Sequence, residues 1–141
     1  MPTPDFDVPF EGGCACGAVR YVSTAAPVWS ANCHCHDCQA GSGAPYVSAI
    51  SVPAQAVTVT GERISFTRTS ASGHAVTTSL CAVCGTRIHA QSEGNTVLLN
   101  LFAATLDRPE AFTPISNVYV SEKAHWVTLD PDIPTYEKMP G

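Results

Sequence analysis

Seven cysteines constrain the fold of this 141-residue chain more than any other feature of its sequence. They form three tight groups: Cys14 and Cys16, then Cys33, Cys35 and Cys38, then Cys81 and Cys84. An odd number cannot pair completely as disulfides within one chain, and disulfide partners rarely lie one residue apart. Spacings of one or two residues instead bring several thiolates to one point, as a metal site requires. Buried free cysteines that pack as small hydrophobic residues would explain one or two of the seven, but not three groups.

The amino-terminal segment favours a compartment in which thiols stay reduced. Residues Met1–Phe10 contain three prolines, two aspartates and no basic residue, so we expect no signal peptide. No apolar run approaches the roughly 20 residues that a membrane-spanning helix needs. We therefore expect a cytoplasmic protein without a membrane partner, in which clustered thiols bind metal or act chemically.

Charge and length narrow the class of protein further. The net charge is −5, with only seven lysines and arginines, so we expect no nucleic-acid-binding groove. A chain of this length is typical of one domain, and we see no internal repeat or shift in composition. We therefore predict a single domain over residues 1–141.

Zinc is the metal that this set of thiols favours. It binds thiolates tetrahedrally, with four protein ligands in structural sites and three plus an open position in catalytic sites. The run Cys33, Cys35 and Cys38 offers three sulfurs from one short segment, and the other four cysteines would then form a closed site. Counting alone leaves open which groups share an ion, and an iron–sulfur cluster is the alternative for four thiolates.

Short segments rich in β-branched and aromatic residues make up the rest of the chain. Val57–Thr60 alternates with period two, and Val97–Phe102 is apolar on both faces apart from Asn100. Eight strands are expected: Ala18–Ser23, Tyr46–Val52, Val57–Thr60, Ile64–Thr69, Ala75–Leu80, Arg87–Gln91, Thr96–Ala103 and Ile115–Val120. We see no helical period, and expect at most a helical turn after Cys38. The pattern predicts an all-β, sandwich-like or open-barrel fold.

Two glycines directly follow cysteine pairs. Gly17 comes after Cys16, and Gly85 comes after Cys84. Backbone amides that turn toward a sulfur often need positive φ, which glycine adopts without steric cost. We predict positive φ at both glycines.

The residues around the cysteines share more than sulfur with a known family. The shared stretches at the cysteines are Gly13-Cys14-Ala15-Cys16-Gly17-Ala18-Val19-Arg20-Tyr21, Cys33-His34-Cys35-x-x-Cys38 and Cys81-x-x-Cys84-Gly85-Thr86. Further ones are Gly61 before Ile64-Ser65-Phe66, Leu106-Asp107-x-Pro109, Phe112-x-Pro114, and His125-Trp126 with Pro134-x-Tyr136. The chain resembles the glutathione-dependent formaldehyde-activating enzyme (GFA) family, also called the centromere protein V/GFA domain, over a core of about residues 10–137.

This resemblance implies a fold, a metal set and an activity. The fold would be the Mss4-like, zinc-containing arrangement of short antiparallel strands. Two Zn²⁺ would bind per chain: a structural ion on Cys14, Cys16, Cys81 and Cys84, and a catalytic ion on Cys33, Cys35 and Cys38. The family's named activity is that of a carbon–sulfur lyase, which joins glutathione to formaldehyde. We therefore expect a small thiol and a small aldehyde as substrates. The alternative is a non-catalytic zinc module with a chaperone-like or redox-sensing role.

Polar residues between the cysteines are further candidates. His34 is assigned to the site as a proton shuttle or occasional fourth ligand, with a partly exposed histidine near the site as an equal alternative. His36 could have the same roles, but a partly exposed position is favoured. Asp37 is expected to cap the turn that follows it, with a hydrogen bond to a histidine as the alternative. Three isolated histidines are expected to have packing or surface roles: His74, His89 and His125.

The sequence shows no clear set of basic residues for binding an anionic substrate. Family members often carry a basic residue after the Cys-Gln pair that ends the second group, whereas this chain has Ala40. Glutathione has two carboxylates, so this difference and the low charge of the chain weaken the expectation of a strongly anionic substrate. Arg20 and Arg87 could hold a carboxylate, although salt bridges or packing of their side chains are favoured. Tyr46 and Phe102 are expected to line the pocket.

Overall fold

The computed structural model describes residues 6–140, which form ten strands, one short helix and four 3₁₀ turns. The strands are β1 Phe10–Gly13, β2 Arg20–Ser23, β3 Trp29–Cys33, β4 Val47–Pro53, β5 Val57–Thr60, β6 Arg63–Thr69, β7 Ala75–Cys81, β8 Arg87–Ser92, β9 Leu98–Phe102 and β10 Asn117–Val118. The helix, α1, is His36–Ser42. Residues 1–5, half of the amino-terminal segment for which no signal peptide is expected, lie outside the described residues. The single-domain prediction stays a prediction.

The strands form two sheets. The smaller sheet has the order β1-β2-β5, and the larger has the order β10-β3-β4-β9-β8-β7-β6. All neighbouring strands are antiparallel except β10 and β3, which run parallel. The expected all-β, Mss4-like fold is confirmed, with this one parallel pair as the exception to the antiparallel arrangement. No helix within the described residues is long and apolar enough to cross a membrane.

Two elements beside the second cysteine group differ from the sequence-based expectation. Strand β3 was not predicted, because its sequence Trp-Ser-Ala-Asn-Cys shows no alternation and its three central residues are all buried. The helix does not begin after Cys38 but at His36, so that Cys38 lies within its first turn. A helix of seven residues is too short to show a 3.6-residue period in the sequence.

The hydrophobic core lies where the two sheets meet. Ile50, Ile88 and Leu101 of the larger sheet are fully buried, and each contributes about 1.5–3 kcal/mol of transfer free energy. Tyr21 of the smaller sheet joins this cluster, and its hydroxyl lies 2.9 Å from the hydroxyl of Thr105. Burial raises the pKa of Tyr21 to about 12, so the phenol stays neutral. This core fixes the positions of the strand ends that carry the cysteines.

Candidate metal centre

The first and third cysteine groups come together in space. Cys14 and Cys16 follow β1, Cys81 ends β7, and Cys84 lies in the turn before β8. Their four Sγ atoms all lie within 4.8 Å of one another, with 3.6 Å between Cys14 and Cys16 and 3.8 Å between Cys16 and Cys81. Cys14 and Cys81 are buried, whereas Cys16 and Cys84 are exposed. The closed four-sulfur grouping expected from the sequence is therefore present.

Hydrogen-bond donors point at these sulfurs. The amide of Val19 donates to Cys14 Sγ at 3.2 Å, and the amide of Cys84 donates to Cys81 Sγ at 3.4 Å. The hydroxyl of Thr86 lies 3.1 Å from Cys84 Sγ, and this contact is the main reason that the pKa of the Cys84 thiol falls to about 5. Donors of this kind stabilise thiolate, the form that binds metal. The four residues thus fit a tetrahedral thiophilic ion such as zinc.

Two similar turns hold the four cysteines. The amide of Gly17 donates to the carbonyl of Cys14 at 3.2 Å, and the amide of Gly85 donates to the carbonyl of Cys81 at 3.0 Å. The two glycines have φ of 84° and 76°, so the prediction of positive φ is confirmed. Each turn brings two sulfurs of its segment to the same side, which explains how two distant segments build one site.

The second group forms its own cluster at the junction of β3 and α1. Cys33 is the last residue of β3, Cys35 is the N-cap of α1, and Cys38 lies in the first turn of the helix. Their three Sγ atoms lie within 4.8 Å of one another, and Cys35 Sγ accepts a hydrogen bond from the Cys38 amide at 3.3 Å. The expectation that Asp37 caps this segment is wrong, because Cys35 occupies the N-cap position and Asp37 lies inside the helix.

The three thiols differ strongly in acidity. Hydrogen bonds with Cys33 and Cys38 lower the pKa of Cys35 to about 2. Hydrogen bonds with Cys35 and Cys38, followed by burial, raise the pKa of Cys33. The contact with Cys33 lowers the pKa of Cys38, but Cys35 and burial outweigh it and raise that pKa to about 12. Without a cation, the cluster therefore favours one thiolate that is hydrogen-bonded to the other two thiols. A second thiolate at this distance would be repelled by the first. A cation among the sulfurs would remove that repulsion, so this cluster also fits a metal ion.

His34 lies apart from the three sulfurs although it stands between two of them in the chain. Its side chain is 1% exposed, its Nε2 lies 2.9 Å from Oδ1 of Asn117, and its ring centre lies 4.9 Å from that of Tyr46. These residues line a separate cavity of about 240 Å³ whose walls include no cysteine. His34 thus links the end of β3 to β10 by packing and a hydrogen bond. The alternative of a partly exposed histidine is wrong, because the residue is buried, and the role as proton shuttle or fourth ligand stays a prediction.

Two adjoining cavities open at the three-cysteine cluster, with volumes of about 180 and 390 Å³. We call them together the cysteine cleft. They share seven lining residues: Trp29, Cys33, Cys38, Ser51, Arg68, Asn100 and Met139. Phe102 lines the smaller cavity, as expected, whereas Tyr46 does not line the cleft. The sulfurs thus lie in the wall of a space that can admit a small ligand.

Three polar residues of the cleft were not recognised in the sequence. Arg68 of β6 lines both cavities, and Tyr119 and His74 line the larger one. Tyr119 has φ of 55°, an unusual conformation for a bulky residue, and burial followed by the charges of Cys33 and Cys35 raises its pKa. No sequence signal marks these residues, because only the register of the strands and the course of the loops bring them to the cysteines.

Another cavity, of about 650 Å³, lies between the four-cysteine cluster and α1 and is larger than the cleft. At its edge Arg20 binds Asp107 with both guanidinium nitrogens, one of them at 2.8 Å, so the expected salt bridge is confirmed. Arg87 lines both this cavity and the cleft, and its guanidinium carbon lies 6.0 Å from the centre of the Phe102 ring. Within residues 6–140 Arg87 forms no salt bridge.

The geometry can be compared with known proteins. A family model described as glutathione-dependent formaldehyde-activating enzyme (GFA) matches residues 9–122. A crystal structure of a Rhodobacter sphaeroides protein has a similar fold, with a TM-score of 0.56 and 18% sequence identity over 74% of this chain and 97% of that chain. No curated protein matches the chain. The family model spans both cysteine clusters and most of the sequence, so the resemblance is confirmed and the chain belongs to the GFA family.

Proposed function

We propose that this protein is a cytoplasmic, zinc-dependent carbon–sulfur lyase that adds a small thiol to formaldehyde or another small aldehyde. It would hold two zinc ions, a structural one at the four-cysteine cluster and a catalytic one at the three-cysteine cluster. The observation that carries the proposal is the convergence of three cysteine sulfurs in the wall of a cleft that can admit a small ligand. Nucleic acid and membranes are not expected among its partners.

The three-cysteine cluster supplies a ligand set suited to thiol chemistry. Cys33, Cys35 and Cys38 would hold the ion and leave one tetrahedral position for a ligand from the cleft. Zinc bound there supplies positive charge, which favours the thiolate form of a substrate near neutral pH and polarises an aldehyde oxygen. Three protein thiolates reduce the positive charge of the site, and this favours exchange of thiols over activation of water.

The bond-forming step needs a nucleophile and a proton donor. The thiol loses its proton to solvent, its sulfur attacks the aldehyde carbon, and the electron pair of the C=O double bond moves to oxygen. Tyr119 lies in the cleft, and its raised pKa keeps the phenol protonated. We assign its hydroxyl as the donor that protonates the developing alkoxide to give the hemithioacetal, after which the phenolate regains a proton from solvent. The reverse sequence breaks the carbon–sulfur bond.

The aromatic walls of the cleft have a separate task. Trp29, Phe102 and Met139 line the smaller cavity together with Cys33 and Cys38. Apolar walls limit the water around the reacting atoms, which strengthens electrostatic interactions there. The cleft therefore favours addition of a thiol over hydration of the aldehyde.

The test combines metal analysis with exchange spectroscopy. Zinc content is measured by mass spectrometry, and hemithioacetal formation is followed by NMR exchange with formaldehyde and glutathione, cysteine or 2-mercaptoethanol. We expect two zinc ions per chain and faster exchange with at least one thiol than in buffer. Fully zinc-loaded protein that accelerates none of these reactions would contradict the enzyme and favour a non-catalytic zinc module. Release of zinc by mild peroxide from such protein would favour the redox-sensing role.

A further inference from the structure

Arg68 is a cation in the wall of the cysteine cleft. It lies on β6, the edge strand of the larger sheet, opposite Val76 of β7. Its side chain is 34% exposed and lines both cavities of the cleft together with Cys33 and Cys38. The sequence lacks a basic residue at position 40, but the fold places one beside the same cysteines from a different strand.

The guanidinium of Arg68 has at least one N–H group without an acceptor among the described residues. Its Nε lies 3.6 Å from Oδ2 of Asp37, which is longer than a normal hydrogen bond. Its Nη1 is enclosed and has no hydrogen-bond partner within residues 6–140. An enclosed donor without an acceptor is unfavourable, and a carboxylate can accept two N–H groups of a guanidinium at once. Arg68 is thus prepared to receive an anion.

The remainder of the cleft agrees with an anionic ligand. Among the described residues, no aspartate or glutamate lines either cavity, although such residues outnumber lysines and arginines in the chain by 12 to 7. A second arginine, Arg87, lines the smaller cavity without a salt bridge. The other walls combine apolar side chains such as Trp29, Val76 and Phe102 with uncharged polar ones such as Ser51 and Asn100, so the arginines are the charged partners that the cleft offers a carboxylate.

We propose that Arg68 is a specificity-determining residue that binds a carboxylate of the thiol substrate while the sulfur lies at the three cysteines. The thiol part of this inference rests on the proposed function, whereas the carboxylate part rests on Arg68 and the cleft. The competing role for Arg68 is to neutralise the cysteine thiolates, which its charge also reaches. The two roles differ in their consequence, because neutralisation affects metal retention and carboxylate binding affects the choice of ligand.

The test measures binding by zinc-loaded protein and does not depend on turnover. Isothermal titration calorimetry compares 3-mercaptopropionate with its neutral amide, 3-mercaptopropionamide, and NMR titration follows 3-(methylthio)propionate, which keeps the carboxylate but has no thiol. We expect the wild-type protein to bind the acid about tenfold more tightly than the amide, as one charge-assisted contact provides. We also expect the methylthio acid to bind at the cleft.

Substitutions then assign the preference to one residue. Arg68→Gln should abolish the preference for the acid and the binding of the methylthio acid, with unchanged zinc content. Arg68→Lys keeps the charge but not the paired N–H geometry, so we expect it to retain only part of the preference. The matched control is Arg108→Gln, which removes the same charge from a side chain that is 75% exposed and lies outside the cleft.

The remaining outcomes separate carboxylate binding by Arg68 from neutralisation of the cysteine thiolates, and separate both from the proposed function. An equal preference in wild-type and Arg68→Gln protein would overturn the proposal. So would loss of zinc from Arg68→Gln together with full zinc and an unchanged preference in Arg68→Lys, because Arg68 would then serve the thiolates. If the methylthio acid binds through Arg68 but no thiol is added to an aldehyde, the anion site stands and the proposed function fails. If thiols are added to an aldehyde at rates that do not depend on their charge, the proposed function stands and the anion site fails.

Discussion

Both cysteine clusters consist of sulfur atoms, but they differ in which parts of the chain supply them and in what surrounds them. The four-cysteine cluster joins residues up to 70 positions apart, and two of its sulfurs are buried against the core. The three-cysteine cluster comes from six consecutive residues and lies in the wall of a cleft. A site that connects distant segments contributes to the fold, whereas a site built from one segment leaves the fold to other contacts and can carry chemistry.

The difference extends to the groups around each cluster. Around the four sulfurs, the close partners are mainly the donors of the two glycine turns and of Thr86. Around the three sulfurs, the structure places Arg68 and Tyr119, neither of which is a ligand. A structural site needs only donors to its ligands, but a reactive site also needs groups that face the substrate. The following substitutions test this division, from the largest expected effect to the smallest.

Cys81→Ser should unfold the protein. Its side chain is 1% exposed and belongs to the core cluster, so the change removes a buried sulfur ligand and opens the four-cysteine site. Structural zinc in small domains contributes about 10–16 kcal/mol, as much as the whole stability of a typical domain. Circular dichroism melting should show no cooperative transition. A melting temperature within a few degrees of wild type would show that the four-cysteine site does not support the fold.

Cys35→Ser should abolish activity and leave the protein folded. Serine is a good N-cap, so the first turn of α1 keeps its cap while the cluster loses a sulfur ligand. We expect zinc content to fall from two ions to one, with a melting temperature near that of wild type. Activity is read from NMR exchange. Destabilisation as large as that of Cys81→Ser would remove the distinction between the two clusters.

The clusters also show what sequence reasoning can and cannot reach. Cysteine spacing predicted the three-cysteine cluster, because residues two or three positions apart remain neighbours in almost any local structure. It left open which groups share an ion, and the family resemblance implied that the first and third groups meet. Arg68 and Tyr119 could not be assigned, because their neighbours depend on long-range contacts. The pairing of β6 with β7 sets the position of Arg68, and the pairing of β10 with β3, which sets Val118 opposite Cys33, brings Tyr119 to the cysteines.

Position in the sequence also could not decide where the side chain of His34 lies. Proximity in sequence suggested a role beside the sulfurs, but side chains alternate along an extended segment. The parallel pairing of β10 with β3 then supplies Asn117 as a partner on the side away from the cysteines. The short strand β10 and helix α1 carry too few residues for any periodicity to show, and both decide what surrounds the site.

Tyr119→Phe tests whether the groups around the three-cysteine cluster act chemically. If the phenol protonates the alkoxide, its removal should lower the rate of exchange about 100-fold, with unchanged zinc content and melting temperature. The control is Tyr46→Phe, which removes the same hydroxyl outside the cleft and should leave the rate near that of wild type. Equal rates for Tyr119→Phe and wild type would leave water as the proton donor.

A matched pair of glycine substitutions provides the smallest and sharpest comparison. Gly85, beside the four-cysteine cluster, and Gly43, at the end of α1, have nearly equal φ of 76° and 74°, and a methyl group added at either would meet no atom within 4 Å. Alanine at each should therefore lower the free energy of unfolding by about 1 kcal/mol through backbone strain alone.

Denaturant titration measures that loss, and a colorimetric chelator measures zinc release. We expect Gly85→Ala to release the first zinc faster than Gly43→Ala, because its strain falls on the turn that orients Cys81 and Cys84. Equal release from both variants would mean that the turn geometry adds nothing to metal retention beyond the stability of the fold.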